Sequence, residues 1–281
     1  MSSLMDTSHR HIKKQRLFRK LPNWKSLAGI SDDEINAHFK LMPESYFPVS
    51  QISEIELHLK MINQLKQKID STVESQVKNP FVIKWSENPL SDTITITAVL
   101  FNMPGLFHKL VGALTLSGID IVNSKAVTRM DDIAIDTFTI SNSSKPADQN
   151  AELVDTFIEY FERIINQGED LDYLISMQNY MIDSPVTLCE SMEVDRKLTT
   201  SVDSKKGKII LLVQALDTVG LLYQISKVIF ENNYTISSAH ILTKRNQVTD
   251  VFNIEKFGED TCQGCLDLID LETQLGQIVI A

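Results

Sequence analysis

The feature that most constrains the fold is a strand-to-helix turn that occurs twice in the sequence. The first copy, Phe101–Phe107, follows an alternating strand pattern and precedes apolar residues at helical spacing. The second copy, Leu216–Leu222, stands in the same context. Placing Gly105 on Gly220 also aligns the apolar positions of the helices and strands that follow. A match of this length is typical of a duplicated folding unit, so the sequence predicts two similar domains.

Each copy continues with the same series of predicted elements. In the first, Gly118 follows the helix at a position that favours a left-handed residue, and a hairpin turns around Met130–Asp132. A long helix comes next, and we expect a final strand between Pro185 and Asp195. The series β-α-β-β-α-β is the ferredoxin-like arrangement, in which an antiparallel sheet carries two helices on one face. The predicted fold class is therefore α+β, with two ferredoxin-like domains.

The residues before the repeats have a helical rather than a strand pattern. Ser31 and Glu34 have the spacing of a capping box, as do Ser53 and Glu56, and apolar residues at helical spacing follow each pair. Pro43 ends the first of these helices, and the polar stretch after the second has the composition of a linker. The predicted domains are a basic tail with a helical arm and linker (1–80), a first ferredoxin-like domain (81–200) and a second one (201–281).

Charge is distributed unevenly along the chain. The net charge is −10, yet residues 1–30 hold seven Lys and Arg against one acid, so the remaining residues sum to −16. An acidic body argues against nucleic acid as the main ligand. Several interpretations of the basic tail stay open. It could dock on the acidic body, or it could contact RNA, an anionic membrane or an acidic partner.

Neither a membrane span nor a secretory signal is predicted. No apolar run approaches the roughly 20 residues that cross a bilayer. The N-terminal residues lack the apolar segment of a secretory signal. With three cysteines among 281 residues, a disulfide scaffold is not expected. These features predict a protein of the reducing cytoplasm.

The two turns and the strands around them resemble the ACT-domain family of amino-acid-sensing proteins. That family has Asp-x-Pro-Gly-Leu at each turn, and the counterparts here are Asn102–Leu106 and Asp217–Leu221. Asn replaces Asp in the first copy, and Val replaces Pro in the second. The family also has Asp-x-Phe in its third strand, as at Asp136 and Asp250. The resemblance is closest to the C-terminal tandem ACT pair of the bacterial PII uridylyltransferase/uridylyl-removing enzymes.

The resemblance implies a sensor of free amino acids, with glutamine as the ligand by family analogy. A ligand carboxylate suits the unpaired N–H groups at a helix start, and glycine permits close approach. Asp217 and the side-chain oxygen of Asn102 are candidate acceptors for the ammonium. In the family, the ligand lies between one domain's turn and the second strand of its neighbour. The candidate ligand-binding residues are Asn102, Met103, Gly105, Leu106, Ile121, Asp217, Thr218, Gly220, Leu221 and Ile236.

The family also has catalytic domains, and their motifs are absent from this sequence. Nucleotidyl transfer needs a Gly-Ser turn and two carboxylates that hold Mg²⁺, and the hydrolase needs a His-Asp pair, but neither dipeptide occurs. We therefore expect no catalytic residues, no cofactor and no metal, and a regulator that reports nitrogen status to a protein partner. Two alternatives stay open: a PII uridylyltransferase-related enzyme or accessory regulator, and a ligand-free module that forms a homodimer through its ACT sheets.

Other chemically active side chains are expected to have structural roles. Cys262 and Cys265 form a CxxC pair, but zinc needs two more ligands, and a redox role needs a helix start that lowers the thiol pKa. His108 follows the first turn without an obvious nucleophile, and His240 lies on a strand. Two acidic pairs are interpreted as hairpin and loop charges, namely Asp131 with Asp132 and Asp170 with Asp172.

Overall fold

A computed structural model gives the fold of the chain. It describes residues 14–17, 29–71, 78–88, 90–141, 150–181, 196–203, 208–218, 220–244, 247–256 and 264–280. The chain divides into two compact units. The first combines Met1–Lys84 with Thr97–Asn102 and Val127–Ile135, and the second combines Trp85–Ile96, Met103–Ala126 and Asp136–Ala281. None of the described helices is both long and apolar enough to cross a membrane.

The described elements form a helical arm followed by two repeats. The arm contains α1 (Asp32–Leu41), α2 (Tyr46–Val49) and α3 (Ile52–Ser71). The first repeat contains β1 (Phe81–Asn88), β2 (Thr93–Phe101), α4 (Leu106–Leu116), β3 (Ile121–Thr128), β4 (Ile133–Ser141) and α5 (Asn150–Glu162). A π-helical turn (Arg163–Gln167) and α6 (Leu171–Met181) follow. The second repeat contains β5 (Lys197–Asp203), β6 (Lys208–Leu216), α7 (Leu221–Glu231), β7 (Tyr234–Lys244), β8 (Gln247–Lys256) and α8 (Gly264–Ile280).

The arm helices begin close to the predicted positions. Ser31 caps α1 as predicted, because its side-chain oxygen accepts the backbone N–H of Glu34 at 3.2 Å. The second start is displaced, since α3 begins at Ile52 and Glu54 accepts the backbone N–H of Gln51 at 2.8 Å. The capping interaction therefore begins at Gln51, two residues before the predicted box at Ser53, and Glu54 is its acceptor.

The arm shares one apolar core with three strands of the first repeat. In α3, Ile55, Leu59 and Ile62 follow helical spacing and are fully buried. The strand side chains in this core are Val82, Val99, Ile133 and Ile135. The arm thus removes from water a set of apolar strand residues that would otherwise be exposed on the sheet.

A buried ion cluster joins the arm to the hairpin between β3 and β4. The side chain of Arg129 is fully buried. Its guanidinium donates to Asp131 at 2.8 and 2.9 Å and to Glu34 of α1 at 2.9 Å, and Lys66 of α3 also contacts Glu34. Burial lowers the pKa of the neighbouring His38 well below its ordinary value, and the charge of Arg129 lowers it further. Asp131 is therefore the partner of a buried cation as well as a hairpin residue.

The eight described strands form one sheet in the order β1-β2-β4-β3-β7-β8-β6-β5. In the second repeat, β6 pairs antiparallel with β5 and β8, and β7 pairs antiparallel with β8. Each repeat has the strand arrangement of a ferredoxin-like sheet, with a helix after its second and fourth strands. The predicted α+β class with two ferredoxin-like domains is confirmed.

The order of elements along the chain differs from the expected β-α-β-β-α-β series in one respect. The edge strand comes first in each repeat, as β1 and β5, and it lies beside the strand that follows it, β2 and β6 respectively. Only residues 89–92 and 204–207 separate the two strands of each pair, so a short connection is enough to place the edge strand. The segment between Pro185 and Asp195, where the sequence predicts a final strand, lies outside the described residues. The domain boundaries at 80/81 and 200/201 stay a prediction.

Helix α6 extends the helical layer of the second unit beyond the two helices of the first repeat. The π-helical turn ends at Gly168, whose positive φ of 73° redirects the chain before α6 begins. Leu171 of α6 fills the space beside Gly112 of α4, where an added Cβ atom would lie 2.5 Å from the leucine side chain. A glycine inside α4 thus allows a close approach of two helices.

Candidate functional site

The two glycine turns have the backbone geometry that the sequence predicts. The first joins β2 to α4, and the second joins β6 to α7. Gly105 and Gly220 immediately precede the helices and have positive φ angles of 70° and 82°. Glycine adopts this left-handed conformation without the steric cost that a Cβ atom brings. The duplicated sequence pattern therefore marks a duplicated backbone structure.

Equivalent hydrogen bonds fix both turns. The N–H of Leu106 donates to the carbonyl of Met103 at 3.0 Å, and the N–H of Leu221 donates to the carbonyl of Thr218 at 3.0 Å. The other N–H groups of a first helical turn have no acceptor within their helix. Neither capping glycine supplies a side-chain acceptor. Each turn therefore presents a helix N-terminus whose partial positive charge favours an anionic group.

Asn102 does not cap α4, although asparagine favours that role. The capping position is occupied by Gly105, because the helix begins three residues later than a cap at Asn102 would require. The backbone N–H of Asn102 instead donates to the carbonyl of Asp132 at 2.7 Å, and its side chain is exposed. In the second turn Thr218 is also exposed, and Val219 lies outside the described residues.

Two acidic side chains, Asp217 and Asp120, lie close enough at the second turn to interact electrostatically. Partial burial raises the pKa of Asp217, and the charge of Asp120 raises it further. Asp120 directly precedes Ile121, the first residue of β3, so Asp217 lies within electrostatic range of the start of that strand. A cationic group placed beside Asp217 would relieve this repulsion.

A buried carboxyl group occupies the same position of the fourth strand in both repeats. Asp136 in β4 and Asp250 in β8 are 3% and 1% exposed, respectively. Burial raises the pKa of each carboxyl to about 7. At Asp250, a hydrogen bond from the N–H of Leu242 opposes this rise and the charge of Asp217 adds to it. The acid of each Asp-x-Phe triplet therefore titrates near neutral pH in the folded chain.

The surroundings of the two glycines differ. A Cβ atom added to Gly105 would lie 3.0 Å from two ring carbons of Phe230 in α7, and Gly105 is buried. Beside the same turn, the Lys109 ammonium donates to the carbonyl of Pro104 at 3.1 Å, and burial lowers the pKa of this lysine. At Gly220 an added Cβ atom would meet none of the described atoms within 4 Å, and the glycine is partly exposed.

An aromatic pair joins the first turns of α4 and α7. His108 and Tyr223 hold equivalent positions in the repeat, and their rings stack with centroids 4.9 Å apart. Burial lowers the pKa of His108 to about 4, and its Nδ1 atom has no hydrogen-bond partner in the described part of the chain. The Tyr223 hydroxyl donates to Asp172 of α6, which also accepts from Lys227 at 2.9 Å. Asp172 thus links α6 to α7 and is more than a loop charge.

The predicted ligand contacts differ in accessibility, and their role stays a prediction. Gly105, Leu106 and Leu221 are buried, Met103, Ile121, Asp217, Gly220 and Ile236 are partly buried, and Asn102 and Thr218 are exposed. Sequence reasoning missed Asp120 and Phe230. The repeat alignment could have indicated that Phe230 distinguishes the two turns, because the small Thr115 stands at the equivalent position of the first repeat. Nothing in the sequence pattern indicated that the charge of Asp120 acts on the second turn.

Other candidate groups contribute little to the described structure. Among the described residues, no group of three or more His, Cys, Asp or Glu side chains could hold a metal ion. His240 is exposed on β7. Cys189 and Cys262 lie outside the described residues, and only the backbone of Cys265 is described, within α8.

Comparison with known proteins finds relatives that share one description. The bifunctional uridylyltransferase/uridylyl-removing enzyme of Erythrobacter litoralis is 20% identical over 263 residues, which cover 90% of this chain and 27% of the enzyme. The enzyme of the same description from Rhodospirillum rubrum is 23% identical over 201 residues, which cover 70% of this chain and 20% of the enzyme. The chain resembles the C-terminal region of this enzyme.

The similarity is confined to part of the uridylyltransferase relatives. The Cupriavidus metallidurans enzyme is 25% identical over 177 residues, which again amount to only 20% of its length. No protein-family profile matches the chain. Among solved structures, a protein described as a glycine cleavage system transcriptional repressor aligns with a TM-score of 0.21 and 17% identity, over 65% of this chain and 91% of that protein.

Proposed function

We propose that the chain is a non-catalytic regulatory protein that binds a free amino acid at a glycine turn. The observation that carries this proposal is the second turn, where a helix N-terminus stands beside the carboxylate of Asp217. An α-amino acid holds a carboxylate and an ammonium on one carbon, so it presents the two charges that these groups attract.

The proposed contacts assign one role to each part of the second turn. The ligand carboxylate accepts from the N–H groups of α7 that follow Gly220, where the missing side chain leaves room for it. The ammonium donates to Asp217, and the nearby charge of Asp120 favours the same cation. The ligand side chain then contacts Ile121 at the start of β3. In the first turn, Asn102 and Gly105 hold the equivalent positions of the repeat.

The proposed output is a change in how a partner recognises the paired repeats. A ligand that contacts a turn of one repeat and a strand of the other favours the arrangement in which both contacts are made. By resemblance, the ligand is glutamine, the signal is nitrogen status, and the reader is a protein partner in the cytoplasm. The resemblance to a part of the uridylyltransferase enzymes supports a regulatory rather than a catalytic assignment.

Isothermal titration of the purified chain with each of the common amino acids tests the proposal. We expect one of them to bind. At a concentration of about 100 times its dissociation constant, this amino acid should raise the free energy of unfolding of the chain by about 2.7 kcal/mol. Asp217→Asn should weaken binding by about tenfold or more, because a charge-assisted hydrogen bond is lost. Asp155→Asn, at an exposed site on α5, is the matched control. No heat of binding from any amino acid, with a folded sample, would refute the proposal.

The similarity to uridylyltransferases also supports a second candidate, a chain that takes part in uridylylation of PII. Incubation with PII, UTP and Mg²⁺ distinguishes this candidate from a sensor. A sensor without catalytic residues transfers no label from UTP, whereas labelling of PII by the purified chain would establish enzymatic activity.

A third candidate is a ligand-free module that dimerises through its sheet. The observation that favours it is the strand order, which leaves β1 and β5 as the edges of the described sheet. Edge strands offer unpaired N–H and carbonyl groups to another chain. Mass measurement in solution, with and without amino acids, identifies this candidate if a dimer forms and no amino acid changes it.

A further inference from the structure

We propose that Phe230 decides which of the two turns accepts the ligand, so that the chain binds one amino acid, at its second turn. This inference rests on the proposed function and specifies its stoichiometry. The internal repeat provides the comparison, because each turn has the backbone of the other but different neighbours.

The first turn is closed by an aromatic ring. Two ring carbons of Phe230 lie 3.0 Å from the position of a Cβ atom on Gly105, so the space beside this glycine is already filled. The same ring stacks on His108, with centroids 6.1 Å apart and an interplanar angle of 14°. A side chain held between the glycine and the histidine cannot move aside without losing both contacts.

Burial of the helix start has the same effect. All four residues from Gly105 to His108 are buried. A ligand carboxylate must come within about 2.9 Å of the N–H groups that it accepts from, so it needs access to this backbone. The first turn therefore lacks the access that its N–H groups would require for binding.

The second turn keeps both access and charge. Gly220 and Leu222 are partly exposed, and no atom of the residues that the structure describes lies within 4 Å of an added Cβ atom on Gly220. The residue of the first repeat that corresponds to Phe230 is Thr115, whose side chain is too small to fill the space that a phenyl ring fills. Asp217 supplies an acceptor for the ammonium, whereas the first turn has the neutral Asn102 at this position.

Titration of the full chain with L-glutamine, and then with each other common amino acid, tests the stoichiometry without any substitution. We expect one ligand per chain. In the paired variants, Asp217→Asn should weaken binding about tenfold or more, whereas Asn102→Ala should leave the affinity unchanged. Two ligands per chain, or a loss of binding in Asn102→Ala alone, would overturn the inference while leaving the proposed function intact. No binding of any amino acid would refute the proposed function, and this inference with it.

A second pair of variants tests the role of Phe230 itself. Phe230→Thr introduces the residue found at the equivalent position of the first repeat and empties the space beside Gly105, so a second binding step should appear in the titration. Phe230→Leu keeps an apolar side chain in the space and should retain one ligand per chain. Circular dichroism establishes that both variants are folded. A folded Phe230→Thr variant that still binds one ligand would show that another group closes the first turn.

Discussion

At the scale of single residues, Arg129 combines full burial with two charged partners. Its guanidinium is held by Glu34 and Asp131, and Glu34 also contacts Lys66. Replacing the arginine with methionine keeps much of the volume but removes the cation from Asp131 and leaves the largely buried Glu34 with Lys66 as its remaining ion-pair partner. We expect Arg129→Met to lower the free energy of unfolding by about 3–5 kcal/mol, measured by urea denaturation.

Arg163 is the matched control for this prediction. It pairs with Glu169 at 2.8 Å, but its side chain is 41% exposed. Water and salt screen an exposed pair, so Arg163→Met should not change stability measurably. Equal effects of the two substitutions would contradict the assignment of stability to the buried cluster.

The buried carboxyl of Asp250 makes stability depend on pH. Its pKa rises to about 7 in the folded chain from an ordinary value of 3.8, so between these values the folded state binds more protons than the unfolded state. The contribution of Asp250 therefore stabilises the fold at low pH and is lost as pH rises towards 7. Asp250→Asn removes this dependence, and its stability relative to the unsubstituted chain should increase from pH 4 to pH 7, by on the order of 1 kcal/mol per unit.

Urea denaturation at several pH values measures the difference between the two proteins. The lowered pKa of His38 and of His108 acts in the opposite direction, because unfolded histidines take up protons as pH falls below 6.5. Both proteins contain these histidines, so their effect cancels in the comparison. A stability difference that does not vary with pH would contradict the raised pKa of Asp250.

At the scale of elements, the contact between α4 and α6 depends on a glycine. A Cβ atom on Gly112 would lie 2.5 Å from the side chain of the buried Leu171. Alanine favours helices, yet Gly112→Ala should destabilise the chain by about 1–3 kcal/mol, because the leucine has to move. Gly276→Ala in α8 is the control, since an added Cβ atom there would meet no atom of the described part of the chain within 4 Å, and it should stabilise by up to about 1 kcal/mol. Thermal denaturation of both variants checks the opposite signs.

Short-range patterns in the sequence predicted most of the elements. The left-handed Gly118, the strand-to-helix turns at Gly105 and Gly220, the Ser31 cap and the hairpin near Asp131 follow from local steric and hydrogen-bonding preferences. The repeat then extended these predictions to the second half. Strand partners were harder to predict, because alternation identifies a strand and its faces but not the strand beside it. The sequence indicates a strand near Trp85 that pairs with the run ending at Val99, as β1 and β2 do, but it does not indicate the leading edge strand β5.

The chemistry of the candidate site depends more on contacts distant in sequence. The sequence indicated a helix start at each turn and an acid at Asp217. It did not indicate that Asp120 acts on that acid or that Phe230 covers Gly105, because both relations join different repeats. Arg129 is similar, since a charged residue beside a hairpin is usually exposed, whereas this one is buried and pairs with Glu34 of the arm.

At the scale of the whole molecule, the arm protects apolar strand residues from water. Val99, Ile133 and Ile135 are at most 1% exposed within the core that contains the arm helices. A chain that begins at Lys78 lacks this cover, so we expect it to aggregate at concentrations at which the full chain does not. Size-exclusion chromatography with light scattering measures the difference.

The second repeat supplies the substitutions that control this experiment. The residues aligned with Val99, Ile133 and Ile135 are polar, namely Gln214, Gln247 and Thr249. Introducing Val99→Gln, Ile133→Gln and Ile135→Thr into the shortened chain should restore solubility if exposed apolar surface causes the aggregation. A shortened chain that remains soluble without these changes would contradict the proposed protective role of the arm.

The position of the edge strand at the front of each repeat has a consequence for synthesis on the ribosome. Strands β1, β2, β3 and β4 all leave the exit tunnel before any residue of the second repeat, so the nascent first repeat can complete its four-stranded sheet while translation continues. Of the strands in this sheet, only β3 has a neighbour, β7, that is translated later. Had the edge strand followed the last helix, the central strand would have stayed unpaired on one side until the end of the repeat was translated.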